Sequence, residues 1–379
     1  LTSIHFDLII IGGGITGAGI CLDAVARGLK VCLIEMNDFA SGTSSKSTKL
    51  IHGGLRYLEQ FEFKLVNETG SERGILNKIA PHIVNSEKML LPIKKKGKLN
   101  KLSTSIALFV YDYLAGVDKE DKKNILTKEE IIVKEPLLKT NGLDGGAIYS
   151  EFRTDDARLT IEILKTAGRI GAMPINYVKG EYYINKDGKI SGVNCIDNLS
   201  KNSFVINSSY VVNAGGPWVD DILINENKKL VLSKGIHIVI PYIKFPLKQS
   251  VYFDAIDKRM IFAIPRGNTT YIGTTDTKFS LNKHNIPILK SEVNYLLQSV
   301  NNYFSAHLTI DDVISSWAGL RPLVKDEGKK ITEISRKDEI FISKNGLITI
   351  AGGKLTGYRK MAERVLNKIF KIGNFELKK

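Results

Sequence analysis

Residues 6–11 read Phe-Asp-Leu-Ile-Ile-Ile, an apolar run short enough for a buried strand. Gly12-Gly13-Gly14-Ile15-Thr16-Gly17 follows, then an apolar-periodic stretch to Gly28, which predicts a tight turn and a helix. A second apolar run at 30–34 predicts a strand closed by Glu35. Beyond it the pattern changes. Thr43, Ser44, Ser45, Ser47 and Thr48 give a polar, extended passage with no clear strand–helix crossover, ending in His52-Gly53-Gly54-Leu55-Arg56-Tyr57.

Further on, residues 103–114 predict an apolar, aromatic helix, and 127–135 a polar helix stopped by Pro136. Residues 155–168 predict an amphipathic helix capped by Thr154 or Asp155. Residues 170–196 read as a strand meander. Strands at 209–214 and 347–351 run into Gly215-Gly216-Pro217-Trp218 and Gly352-Gly353-Lys354-Leu355-Thr356-Gly357, the latter followed by a helix through Phe370. Alternating stretches at 236–240, 250–253, 260–264 and 270–274 predict a largely antiparallel sheet. Residues 291–304 predict a helix, and 313–320 a strand leading to Arg321. No internal repeat or low-complexity linker divides the chain. The expected fold is α/β: a Rossmann-like FAD-binding domain (1–80, 153–220 and 335–379) interleaved with a second α+β substrate domain (81–152 and 221–334).

The chemistry begins with the glycines. Gly12, Gly14 and Gly17 match G-x-G-x-x-G: one for the turn, one for close approach of a pyrophosphate, one for helix–sheet packing. The pyrophosphate would sit on the helix N-terminus. Glu35 follows Gly17 by 18 residues, where a carboxylate can accept from a ribose hydroxyl. Asn37 and the lack of a nearby Arg argue against a phosphorylated ribose. The polar passage after Glu35 favours FAD over NAD, since a nicotinamide domain would pass directly into another βαβ unit. The helix after Gly353 could offer N–H groups to a reduced flavin.

Composition changes the picture little. The chain has 379 residues, 25% of them charged, and a net charge of +14, which suits anionic partners. No nucleic-acid motif accompanies the charge, and nucleic acid is not expected. Three cysteines, Cys21, Cys32 and Cys195, have neither metal spacing nor even pairing, which fits a reducing cytoplasm. No apolar stretch reaches the ~20 residues of a membrane span. A flavin site that takes an anionic substrate and moves a proton needs cationic groups and a base. Arg56, Arg321, Arg336 and Lys354, with Tyr57 as hydroxyl donor, are the candidates. His52 and His237 are candidate bases, with a packed or flavin-contacting role the alternative for each and water beside an Arg-polarised hydroxyl a further proton acceptor.

These segments resemble the bacterial aerobic FAD-dependent glycerol-3-phosphate dehydrogenases. The resemblance rests on Gly12–Gly17, Thr43-Ser44-Ser45, residues 49–58, Arg153-Thr-Asp-Asp-Ala-Arg158, Asn213–Trp218 and Lys234-Gly-Ile-His237. It continues through Ile264-Pro-Arg266, Gly273-Thr-Thr-Asp-Thr277, Gly319-Leu-Arg-Pro322, Ile334-Ser-Arg336 and Gly352-Gly-Lys-Leu-Thr356. It implies oxidation of sn-glycerol 3-phosphate to dihydroxyacetone phosphate, with Arg56, Tyr57, Arg336 and Lys354 at the phosphate and Arg321 facing the reacting oxygen. It implies FAD contacts at Gly12, Gly14, Gly17, Glu35, Thr43, Ser44, Ser45, Leu50, His52, Gly53, Val178, Gly215, Trp218, Gly353, Leu355 and Thr356. It also implies electron transfer to membrane quinone, a cytoplasmic, peripheral place on the inner face of the cell membrane, and a homodimer. Segments 94–114 and 358–372 are candidates for an anionic membrane surface. The C-terminal helical domain of long members, and a short N-terminal piece, are expected to be missing. Rival expectations are an oxidase producing hydrogen peroxide, an amino-acid or amine oxidase of the same fold, and a non-catalytic flavin-binding membrane-associated protein.

Overall fold

The computed structural model describes residues 3–52, 63–95, 97, 123–223, 227–326 and 337–373, with side chains of 63–65 excluded. The first unit is β1 (His5–Ile11), α1 (Ile15–Ala26) and β2 (Val31–Ile34). After it come β3 (Leu50–Ile51), α2 (Phe63–Ile79), β4 (Asn85–Lys94), β5 (Asn124–Leu126), α3 (Lys128–Lys134), β6 (Leu143–Arg153) and α4 (Asp156–Arg169). Then follow β7 (Met173–Ile175), β8 (Val178–Lys186), β9 (Lys189–Asp197), β10 (Ser203–Asn213), α5 (Val219–Ile222) and β11 (Leu230–Pro241). The remainder is β12 (Ser250–Asp254), β13 (Met260–Arg266), β14 (Thr269–Gly273), β15 (Thr277–Phe279), α6 (Lys290–Tyr303), β16 (Ser315–Val324), β17 (Asp338–Ile342), β18 (Ile348–Gly352) and α7 (Tyr358–Gly373).

Among the described residues these strands form an eight-stranded and a ten-stranded sheet. In the first, β18, β10, β1, β2 and β7 lie side by side in parallel, and β17 closes one edge antiparallel. Ile11 pairs with Asn213, and Asn213 with Thr349, so β1, β10 and β18 end at one level. The three glycine-rich turns of the sequence therefore leave the same sheet edge together. Hairpin β8–β9 adds to β10. The second sheet is antiparallel except where β12 meets β4. It includes β3, which pairs with β6 although residues 50–51 lie inside the first expected segment, 1–80.

Caps account for several helix starts. Thr127 and Glu130 form a capping box at α3. Of the two candidate caps of α4, Asp155 performs the task, accepting the Arg158 N–H at 3.0 Å. Buried faces of α1, α4 and α7 share one core with Leu8, Ile10 and Leu33. This corrects the reading of 358–372 as membrane-facing. Met361, Val365 and Ile369 are each at most 2% exposed, because α1 occupies the face a bilayer would need. The other membrane segment lies outside the described residues apart from 94, 95 and 97, as does the helix expected at 103–114. Among the described residues no helix is long and apolar enough to cross a membrane.

Candidate active site

A cavity of about 940 Å³ runs between the two sheets, from the end of β1 to the wall formed by β11, β16 and the residues that follow β14, Thr274 to Asp276. At one end the chain must turn sharply off β1. Gly12 does so at φ +115°, and a Cβ there would lie 2.5 Å from the Ala214 carbonyl oxygen. Gly17 packs α1 onto the turn, since a Cβ there would overlap the Gly12 carbonyl. Ser44 Oγ accepts the first helical N–H, from Ile15, at 2.9 Å. Glu35 Oε2 accepts the Gly13 N–H at 2.7 Å and Oε1 the Asn37 N–H at 2.9 Å. Each oxygen keeps a lone pair for a ribose hydroxyl.

At the other end lie His237 on β11 and Arg321 on the neighbouring β16, whose cross-strand partners are Trp317 and Ser233. His237 is 2% exposed and its Nε2 is hydrogen-bonded to Thr48 Oγ1 at 3.0 Å, while Nδ1 is buried without a partner. Burial first, then the charges of Arg321 and Lys49, push its pKa down to about 3. The imidazole is therefore neutral, not poised near working pH as the sequence alone suggests. Arg321 Nη2 donates to Thr274 Oγ1 at 2.9 Å and Nη1 to the Thr275 carbonyl at 3.2 Å, with Asp276 Oδ1 3.5 Å away. Asp276 is fixed in turn by a short hydrogen bond from Ser233 Oγ. Gly235 and Gly273 leave the room: a Cβ would overlap Arg321 at the first and His237 at the second.

The segment 47–49 beneath is pinned from several sides. Asp156, fully buried, accepts from Lys49 Nζ at 2.7 Å and from Ser47 Oγ at 2.7 Å. Tyr271 OH donates to the Thr48 carbonyl at 3.0 Å.

Gly12, Gly14, Glu35, Thr43, Ser44, Leu50, His52, Val178, Gly215, Trp218, His237, Arg321, Gly353, Lys354, Leu355 and Thr356 all line this cavity. Gly17 and Ser45 stand behind the wall. Ser45 Oγ donates to the Gly42 carbonyl. Gly53, Arg56, Tyr57 and Arg336 lie outside the described residues. Thr48 holds His237 and Thr274 and Asp276 hold Arg321, roles the sequence does not assign, although Thr48 stands in the polar passage and Gly273-Thr-Thr-Asp-Thr277 is visible as a motif.

The donor set fits a long dinucleotide. A glycine turn and helix N-terminus, a carboxylate at the adenosine end, and the buried Trp218 Nε1–H, which has no partner, share one cavity. A family profile described as FAD dependent oxidoreductase matches residues 7–359. An aerobic glycerol-3-phosphate dehydrogenase of Staphylococcus aureus (strain MRSA252) is 54% identical over 374 residues, 97% of this chain and 67% of that protein.

The chain belongs to the FAD dependent oxidoreductases and, within them, to the aerobic glycerol-3-phosphate dehydrogenases.

FAD is its cofactor by that membership. The crystal structure of the Bacillus halodurans glycerol-3-phosphate dehydrogenase complexed with FAD is similar at 45% identity and a TM-score of 0.82, covering 99% of this chain and 66% of that one. The chain thus spans about two thirds of these relatives' length. An L-alpha-glycerophosphate oxidase of Mycoplasma pneumoniae with FAD bound has a TM-score of 0.74 at 16% identity, covering 99% of this chain and 96% of that one, a likeness of fold.

Proposed function

We propose that this flavoenzyme oxidises sn-glycerol 3-phosphate to dihydroxyacetone phosphate and passes the electrons to a membrane quinone from a peripheral position on the cytoplasmic face. The carrying observation is one cavity that joins the dinucleotide turn to the cluster of Arg321, His237 and Lys354. The 54% identity to aerobic glycerol-3-phosphate dehydrogenases supports the substrate. Bound FAD would supply the hydride acceptor for the hydrogen of carbon 2.

The protein residues do the rest. Arg321 is always charged and held by Thr274, Thr275 and Asp276, so it is aligned to polarise the reacting hydroxyl oxygen. The hydroxyl proton, acidified by Arg321, passes to His237, which burial leaves neutral and weakly basic, or to a water beside it. Lys354, with Arg56, Tyr57 and Arg336 from outside the described residues, binds the phosphate. His52 lines the cavity beside Phe262, their ring centroids 6.2 Å apart. Turnover of the FAD-loaded protein with a soluble quinone analogue, measured beside oxygen uptake, tests the acceptor. Rapid quinone reduction with slow oxygen uptake is expected. Oxygen uptake as fast as quinone reduction would make it an oxidase.

A further inference from the structure

Two motifs of the sequence remain unused by the catalytic cavity: Arg153-Thr-Asp-Asp-Ala-Arg158 and Ile264-Pro-Arg266. Their arginines do not line it. Arg153, Arg158 and Arg266 instead meet, with His82, Thr154 and Asp155, around a separate cleft of about 280 Å³. Its wall sets three guanidinium groups against one carboxylate. That carboxylate, Asp155, is already used as the cap of α4. Arg158 is shared with Glu162 at 2.6 Å, and Arg153 approaches Glu87 only to 3.9 Å. Arg266 donates a long bond, 3.4 Å, to the Thr154 carbonyl and forms no ion pair among the described residues.

Thr154 supplies an independent observation. It is 1% exposed, it lines the cleft, and its hydroxyl has no hydrogen-bond partner. Folded proteins seldom leave a buried hydroxyl unsatisfied. An anion oxygen in the cleft would complete it.

We propose that this cleft is a second anion site, for a small phosphate-bearing molecule. Guanidinium forks match phosphate oxygens in pairs, and the volume suits a phosphoester rather than a dinucleotide. The site does not depend on the catalytic reading. It does abut it: the residue after Asp155 is Asp156, which holds Ser47 and Lys49 on either side of Thr48, the partner of His237.

The test is titration of the FAD-loaded protein with inorganic phosphate, followed by calorimetry while flavin absorbance reports on the catalytic cavity. A saturable binding event without a flavin spectral change is expected. Arg266→Gln should weaken it by ~10-fold or more and Thr154→Val by several-fold. Thr154→Val is close to isosteric, which guards against a misfolded arginine variant. Equal isotherms for wild type and both variants would overturn the site. So would phosphate binding that occurs only together with a flavin spectral change. Competition by phosphatidate-containing vesicles assigns the cleft to a lipid headgroup, and absence of competition assigns it to a free phosphoester. Neither result depends on the catalytic activity of the variants, so failure here leaves the catalytic proposal standing.

Discussion

His237 lies flat on Trp317, with ring centroids 4.7 Å apart and planes inclined by 10°. The two residues are direct cross-strand partners on β11 and β16. The stack completes the dry surroundings that, with Arg321 and Lys49, lower the imidazole pKa to about 3. Unfolded, the group would titrate near 6.5. Between those values the native state binds fewer protons than the unfolded chain. The stabilisation is therefore full above pH 6.5 and is lost as pH falls towards 3, at no more than about 1.4 kcal/mol per pH unit. Melting curves at pH 7 and pH 4.5 should show a smaller acid drop for His237→Asn than for wild type. Parallel drops would mean that the ring is not kept neutral by the fold.

The same substitution also probes chemistry. Removing a general base costs ~100-fold or more in turnover, and His237→Asn is expected to lose that much at saturating substrate. Near-normal turnover would assign the proton to another acceptor.

Arg321 depends on its forked donors, two of which reach Thr274 and Thr275. Arg321→Lys keeps the charge and loses the fork, and kcat/KM is expected to fall by ~10–100-fold. Asp276→Asn leaves the guanidinium without its carboxylate 3.5 Å away and should raise KM several-fold. Steady-state kinetics of both variants check the pair. An unaffected Asp276→Asn enzyme would show that Thr274 and Thr275 suffice to align Arg321.

Two glycines should behave oppositely. At Gly12, φ is +115° and a Cβ meets the Ala214 carbonyl, so Gly12→Ala should yield protein without bound flavin. At Gly74, inside α2, a Cβ meets nothing within 4 Å, so Gly74→Ala should stabilise by ~0.5–1 kcal/mol. Flavin content by absorbance and melting temperature distinguish the two.

Lys234 and Glu292 form a buried pair at 2.7 Å, with side chains 5% and 7% exposed, tying β11 to α6. Glu292→Gln leaves the ammonium buried without a counter-charge. It should cost ~3–5 kcal/mol, read from denaturant unfolding. A loss below 1 kcal/mol would mean that Lys234 finds water.

The local parts of this fold are legible in the sequence because their causes are local. Gly12 to Gly17, the acid at Glu35 and the cap at Asp155 each act within a few residues or one βαβ unit. The site walls are not. Thr48 reaches His237 across 189 positions, and Trp317 stacks on it from 80 positions further along, pairings set by strand register rather than spacing. The amphipathic pattern of 358–372 does mark one apolar face, but periodicity does not say what covers that face. Here α1 does. The neutral state of His237 is likewise a product of burial, invisible before the sheets are assembled.

The most direct test of the central claim is anaerobic addition of sn-glycerol 3-phosphate to the FAD-loaded protein, following flavin absorbance at its visible maximum. The account predicts bleaching by substrate, with colour returning when a quinone is added. A flavin that stays oxidised in the fully loaded protein would contradict it.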